Sequence, residues 1–382
     1  MPGNHKPLYI QPVSTRAQWR DFFQLADRIQ RHDPNWVSPL LHERRRQWDQ
    51  HHPWFAHARA RAWLAMRGDQ AVGSISAQID DLQEQTWDER VGYFGQLEGI
   101  DDPGVFRELL ATAAAWLRAE GMDSMRGPYD LSPNQTCGLL VEGYETPPMI
   151  MMGHAPAYYA RHVEHAGLQA AATLVAYFGP TAIPPPAPVQ KLLARYRRRL
   201  QVRTLDRSQF TSELRVMADI FNDAWARNWG FVPFTDAEFA RVGKDMKPLL
   251  RPWSIQIAEL DGEPAAFMVT LPNLNEALQG LHGRLLPLGW ARLASRLLRG
   301  RFDSARVPLM GVRQRYQGSA SGAVLAYAIV EATRVALQAD NIQSVELSWI
   351  LEQNTGVRAI IESMGPRVYK RYRIYERSLA QD

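Results

Sequence analysis

The chain of 382 residues contains one cysteine, Cys137. A single thiol cannot close an intramolecular disulfide, which suits a reducing compartment. No run of about 18 apolar residues occurs, so no membrane-spanning helix is expected. The opening residues, Met-Pro-Gly-Asn-His-Lys-Pro, place no apolar stretch behind their charge, so no secretory signal is expected. The sequence therefore reads as cytoplasmic, or peripheral at the inner face of the membrane. No phosphate-binding Walker loop and no zinc-finger spacing is present. His51, His52 and His57 surround Pro53, Trp54 and Phe55 without a matching set of cysteines or carboxylates. They read as a surface loop, and no metal is expected. Cys137 has no catalytic-looking histidine beside it and reads as an incidental thiol.

What is present describes a folded chain. Hydrophobic residues make up 46% and charged residues 22%, the balance of a globular protein. The length suits two domains. The net charge of +4 would suit nucleic acid, an anionic membrane or an anionic small molecule, and its distribution decides among them. Leu274–Arg306 carries six arginines (284, 292, 296, 299, 301 and 306) against Glu276 and Asp303, and Lys191–Arg199 carries five positive residues and no acid. The Lys191–Arg199 run reads as a solvated helix face, and no nucleic-acid partner is expected.

The clearest boundary is Gly179-Pro-Thr-Ala-Ile-Pro-Pro-Pro-Ala-Pro-Val189, because consecutive prolines continue neither a helix nor a central strand. The expected division is 1–180, a linker at 181–200, and 201–382. Each half repeats one order of elements. A strand (Leu8–Val13; Gln201–Leu205) leads to a helix (17–31; 212–228). A hairpin follows around Gly68 or Asp261-Gly262, then a strand (Gly92–Glu98; Val307–Arg313). A long helix (105–120; 322–339) and a further strand near Ser124 or Ser344 complete the order. Alternating apolar positions argue for the strands and spacings of three and four for the helices.

The chemistry concentrates at Arg313–Ala320, between a strand and a helix. A helix N-terminus offers unpaired N–H groups and a partial positive charge. Gly318 allows close approach of a ligand, and Ser319, Ala320, Ser321 and Gly322 are small. Such a turn can cradle a pyrophosphate.

The pattern Arg315-x-x-Gly318-x-Ala320 resembles the Arg/Gln-x-x-Gly-x-Gly/Ala motif of the GNAT acyltransferase superfamily, with a strand before it and a long helix after it. The likeness covers about residues 201–377. It implies an α+β fold: two tandem GNAT-like domains, each a mixed, mostly antiparallel twisted sheet flanked by helices. It implies acyl-CoA as co-substrate, held by Met310, Gly311, Val312, Arg313, Arg315, Tyr316, Gln317, Gly318, Ser319 and Ala320, with an amine as acceptor. Asn354, after Ser344–Gln353, resembles the asparagine that meets the pantetheine arm. A backbone N–H near Met310–Val312 would polarise the thioester carbonyl. Glu352 or Glu346 would take the amine proton through water, with Glu352 nearer the mouth; on a regular strand the two share one side. The superfamily's acid is a tyrosine in the helix after the asparagine. Arg358-Ala-Ile-Ile-Glu-Ser363 has none, and Tyr369 is the nearest substitute. The N-terminal half has Gly99-Ile-Asp-Asp-Pro-Gly104 at the matching turn, where two acids would repel a pyrophosphate. Its Asn134, His154, Tyr158 and Tyr159 read as structural.

For the acceptor, Leu286, Trp290, Leu293 and Leu297 form an apolar stripe with Arg292, Arg296 and Arg299 on another face. Such a helix can lie on an anionic membrane, so 286–301 is the expected point of peripheral contact; packing against its own domain is the plainer reading. Ser348–Asn354 and Tyr369–Tyr375 resemble bacterial ceramide synthases, which acylate a sphingoid-type amine with fatty acyl-CoA. Two other readings stand beside this one. A tandem-GNAT aminoacyl-tRNA-dependent transferase would not need the Arg315–Ala320 loop. A non-catalytic acyl-CoA or membrane-binding module would bind without transfer.

Overall fold

The computed structural model describes residues 6–380 apart from His282, Arg284 and Leu286. It divides into two compact units. The N-terminal unit holds the chain up to Thr173, Leu278–Ala294, and the chain from Lys370 onward; the C-terminal unit holds Leu174–Ala277 and Ser295–Tyr369.

The N-terminal unit runs β1 (Leu8–Pro12), α1 (Arg16–Gln30), α2 (Leu41–Gln47), β2 (Ala58–Arg67), β3 (Gln70–Asp80), α3 (Asp81–Trp87), β4 (Val91–Gly99), α4 (Pro103–Ala119), β5 (Ser124–Gly127), β6 (Leu139–Glu142) and α5 (Tyr158–His165). Strand β7 (Gln169–Pro180) carries the chain into the C-terminal unit. There follow α6 (Ala187–Tyr196), β8 (Leu200–Thr204), α7 (Phe210–Trp225), α8 (Asp236–Met246), β9 (Ile255–Leu260), β10 (Glu263–Pro272), α9 (Asn275–Leu278) and α10 (Gly289–Arg299). The last elements are β11 (Ser304–Val312), α11 (Ala320–Ala339), β12 (Ser344–Leu351), α12 (Thr355–Ser363) and β13 (Arg367–Ser378).

Local chemistry explains the ends of these elements. Thr15 and Gln18 form a reciprocal capping box at α1, and Thr235 and Glu238 do the same at α8. Asp261 and Gly262 both take positive φ, 55° and 85°, as a two-residue turn between antiparallel strands requires. The proline run is followed by α6, whose early proline falls in the first turn, where no intrahelical N–H is needed.

Both units build a mixed sheet in the same spatial order. The first runs β1-β2-β3-β4-β5 and then β13; the second runs β8-β9-β10-β11-β12 and then β7. Within each, neighbours are antiparallel except the parallel pairs β4–β5 and β11–β12. The sixth strand is exchanged between the halves of the sequence. Residues 174–180 complete the C-terminal unit and residues from 370 complete the N-terminal one, an exchange that a contiguous division at 181–200 does not contain. Strand β7 is absent from the sequence reading because Val175, Ala176 and Tyr177 are all buried, which erases the alternation that marks a half-exposed strand.

The long helices pack on the sheets. Val105, Leu109, Ala113 and Leu117 of α4 belong to the core over β3 and β4. Leu325 and Ile329 of α11 pack with Ala258, Ala266, Met268 and Val307. Helix α11 is, by length and hydropathy, long and apolar enough to cross a membrane, although no such run was expected; 44% of its most apolar window is buried inside the protein.

Candidate active site

Strands β11 and β12 pair in parallel only from Ser304↔Ser344 to Val307↔Leu347. The residue after Val307 is Pro308, which has no N–H to donate, so the ladder stops there. On the other side of β11 the register shifts between Leu271↔Arg306 and Val269↔Leu309, a bulge that spends an extra residue on β11. Beyond this point Pro308–Met310 and Trp349–Leu351 are half-buried where the paired part is largely buried. The two strands diverge, and the divergence opens beside the end of β11.

Backbone groups point into that gap. Arg313 N–H bonds to Ala265 of β10, so alternation turns Met310 and Val312 away from β10. Their carbonyls are taken by side chains instead: Met310 O accepts from Trp225 Nε1 at 3.0 Å and Val312 O from Gln317 Nε2 at 2.8 Å. Gly311, between them, is buried against Phe267 and Ala224.

The turn from β11 to α11 is tied to α7. Gln314 N–H donates to Asp223 at 2.8 Å, Arg313 reaches Asp219 at 2.6 Å, and Gln317 reaches Ala224 O at 2.9 Å. Gly318 holds φ +69° with open space around it. Ser319 caps α11, accepting from Gly322 N–H at 3.1 Å while its own hydroxyl donates to Tyr316 O. A side chain on Gly322 would sit 2.1 Å from Tyr316 O, so the close turn requires glycine there. Residues 317–320 are exposed, and the side chains that open α11 are small. An anionic phosphate fits this place. Arg315 pairs with Glu263 at 2.6 Å and lies over the Tyr316 ring. Both arginines thus carry exposed or half-buried ion pairs of the kind worth about 0–1 kcal/mol.

Behind the divergence lies a buried charged network. Arg306 and Glu346, adjacent in the parallel ladder, are both 0% exposed and paired at 3.2 Å. Ser348 Oγ donates to Glu346 at 2.6 Å and accepts from Arg306 Nε at 2.9 Å. The Tyr369 hydroxyl donates to the other oxygen of Glu346, and the Arg306 guanidinium lies over the Trp349 ring at 4.7 Å. Of the sequence candidates, Glu346 and Tyr369 are therefore in contact. Glu352 sits just past β12, half-buried, with its carbonyl accepting from Arg358. A bulge in β12, between Leu347↔Tyr177 and Ile350↔Val175, breaks the strict alternation that would put Glu352 on the side of Glu346. Asn354 caps α12, its Oδ1 accepting from Val357 N–H at 3.2 Å.

Three residues here escaped the sequence reading. Arg306 and Ser348 complete the network. Tyr177 of β7 brings a phenol to α12, donating to Glu362 and accepting from Arg358 at 2.8 Å; burial raises its pKa first of all, so it stays protonated. A charged residue between apolar neighbours on a strand, as in Ala305-Arg306-Val307, was the one sequence signal for Arg306.

The N-terminal unit closes the matching place with its own chain. Strands β4 and β5 pair only from Val91↔Ser124 to Tyr93↔Arg126. Tyr129 N–H then bonds Phe94 O at 2.8 Å, Gln78 reaches Tyr129 O, and a side chain on Gly95 would meet Tyr129 O at 1.7 Å. Asp102 caps α4 through Gly104 N–H and pairs with Arg67. A carboxylate thus occupies the spot an anion would need. Tyr159 donates to Glu98 at 2.8 Å and accepts from Gly99 N–H, and Tyr158 donates to Gly99 O. Burial, only partly offset by Arg44 and Tyr159, pushes the Glu98 carboxyl up to about 7. His154 meets Asp33 at 2.8 Å, and Asn134 N–H bonds Ser132 Oγ. His57 meets Asp80, His51 meets Asp49, and His52 caps a short turn at Trp54.

Two sheets of one order, a parallel pair that diverges, and a glycine turn opening a long helix make this a tandem GNAT architecture, that of an N-acyltransferase. No protein-family model matches the chain. It is 42% identical over 348 residues to Protein YghO of Escherichia coli (strain K12), covering 91% of this chain and 89% of that one. It is 40% identical over 375 residues to the bacterial ceramide synthase of Caulobacter vibrioides (strain NA1000 / CB15N), covering 97% and 98%. The chain belongs to the family of tandem GNAT N-acyltransferases that includes that ceramide synthase. Among solved structures, a tandem GNAT protein of the clavulanic acid pathway shares the fold with a TM-score of 0.55 at 14% identity, over 98% of this chain and 100% of the other. A GCN5-related N-acetyltransferase from Sphaerobacter thermophilus does so with 0.54 at 12%, over 98% and 96%.

Proposed function

We propose that the C-terminal unit transfers a fatty acyl group from acyl-CoA to the primary amine of a long-chain, sphingoid-type acceptor, giving a ceramide-like amide. The observation that carries the donor half is the Arg313–Gly322 turn opening α11 beside the divergence of β11 and β12. The name of the Caulobacter relative, similar along almost its whole length, supports the acceptor half.

In this reading the pyrophosphate lies on the N–H groups of Gly318, Ala320 and Ser321, with Arg313 and Arg315 supplying charge. The pantetheine arm runs toward Asn354, and the thioester enters the gap. The N–H groups of Met310 and Val312 stabilise the oxyanion as the amine attacks. A carbon–nitrogen bond forms, the carbon–sulfur bond breaks, and the electron pair leaves on sulfur. The amine must be neutral to attack and must lose a second proton afterwards. Glu352, at the mouth, accepts that proton through water. Glu346, surrounded by Arg306, Ser348 and Tyr369, acts as a positioning residue that orients the Tyr369 phenol. The Tyr369 phenol protonates the departing thiolate and is reprotonated from solvent, since α12 carries no tyrosine.

The test incubates purified protein with palmitoyl-CoA and sphinganine and follows CoA release and amide formation. Turnover with long-chain amines is expected, with loss in Glu352→Gln. Turnover with small polar amines and none with any long-chain amine would overturn the acceptor; no acyl transfer from any acyl-CoA would overturn the whole reading.

A further inference from the structure

The segment inserted before β11 leaves and re-enters the C-terminal unit at one place. Glu276 accepts from Asp303 N–H at 2.9 Å and Ser304 N–H at 3.0 Å, so the carboxylate at the exit holds the backbone at the return. The Arg296 guanidinium donates to Ala277 O at 2.8 Å, tying α10 to the same place. The insertion is therefore anchored at its base.

Its helix is not covered as a core helix would be. No residue of α10 is buried. Leu293 and Leu297, the middle of the apolar stripe, are half-buried. Leu288 is 66% exposed, Trp290 57% and Leu298 87%. Isolated exposed leucines need no explanation, but three large apolar side chains on and just before one short helix do. From Leu285 to Phe302 the sequence contains Arg292, Arg296, Arg299 and Arg301 and no acid. Arg292 and Arg299 fall on the helix face opposite Trp290, and both are exposed.

These features select among occupants. A protein partner or a second copy would suit the leucines, but nothing in the patch supplies acids to balance the arginines within a dimer of like surfaces. An anionic bilayer satisfies both parts. Its phosphates meet the arginines, Trp290 takes the interfacial depth that indole favours, and Leu288 and Leu298 enter the acyl boundary. We propose that α10 with Leu288 is a membrane-docking face for anionic phospholipid, holding the protein where lipid substrates reside. The surface is independent of the acyl-transfer reading, because its test needs no turnover.

The experiment is co-sedimentation of the full chain with phosphatidylcholine vesicles, with and without phosphatidylglycerol. The expected result is pelleting with phosphatidylglycerol that weakens as salt is raised. The double variant Trp290→Ser/Leu298→Glu should lower the partition roughly tenfold or more, with an unchanged circular dichroism spectrum because both side chains are exposed. Arg292→Glu/Arg299→Glu should remove the salt-dependent part. A native chain that stays in the supernatant overturns the proposal, as does a double variant that pellets like the native chain. Equal pelleting with phosphatidylcholine alone overturns the anionic part. A native dimer made monomeric by Trp290→Ser/Leu298→Glu, without vesicle binding, assigns the face to a second copy instead.

Discussion

The Tyr369 hydroxyl donates a hydrogen bond to Glu346, a carboxylate with no exposed surface that also pairs with the equally buried Arg306. A buried pair of opposite charges costs desolvation of both ions and is kept only with complete hydrogen bonding. Ser348 supplies part of that, bonding to both members. The network spans β11, β12 and β13, so it ties together the two strands that diverge and the strand that follows them.

Tyr369→Phe leaves the Arg306–Glu346 pair intact and removes only the hydroxyl. The folded state should persist, and kcat for acyl transfer should fall about a hundredfold with little change in KM for acyl-CoA. Glu346→Gln instead leaves Arg306 buried without its counter-charge, which should cost about 3–5 kcal/mol of stability. Urea unfolding checks the second variant and steady-state CoA release the first. A Glu346→Gln protein as stable as the native one would show that the pair is not held as drawn.

Gly318 and Gly322 separate two reasons for glycine in one turn. Gly318 has open space and needs glycine only for its positive φ. Gly318→Asp should therefore fold, since aspartate tolerates that region better than most residues, while its carboxylate meets the phosphate. CoA affinity should drop by about tenfold or more in titration calorimetry. Gly322→Ala puts a methyl against Tyr316 O and should damage the turn itself, lowering both thermal stability and CoA affinity. Unchanged affinity in Gly318→Asp would remove the pyrophosphate from this turn.

Much of this arrangement was legible because it is local. The strand, the glycine turn and the apolar helix of Val307–Ala339 are contiguous, and their signals need no distant partner. The repeated order of elements followed from the same periodicities. What stayed hidden depends on long-range pairing. Arg306 reads as one more charge in a basic segment until β12 places Glu346 beside it. Tyr177 carries no sequence signal of a role until β7 pairs with β12, and the exchange of β7 and β13 between the units leaves no local mark. The expected common side of Glu346 and Glu352 assumed a regular strand, and the bulge at Ser348–Trp349 removes it.

The last prediction concerns Glu98 in the N-terminal unit, whose carboxyl burial pushes up from 4.5 to about 7. Below pH 4.5 it is protonated in both the folded and unfolded chain, and its burial carries no ionic penalty. As pH rises from 4.5 to about 7 the unfolded chain loses this proton while the folded one keeps it. The folded state then binds more protons, so its stability falls with pH, by up to about 3 kcal/mol in total, and levels off above 7. Asp130 is shifted in the same direction by burial and adds to the slope. Glu98→Gln removes one titration and keeps an oxygen to accept from Tyr159. Native and variant should be of similar stability at pH 4.5, and the variant should gain on the native protein up to pH 8. Because Asp130 remains in both, it largely cancels from the difference. Urea unfolding at the two pH values measures this directly, and a gap that is constant or that closes as pH rises would mean that Glu98 ionises as freely in the folded chain as in the unfolded one.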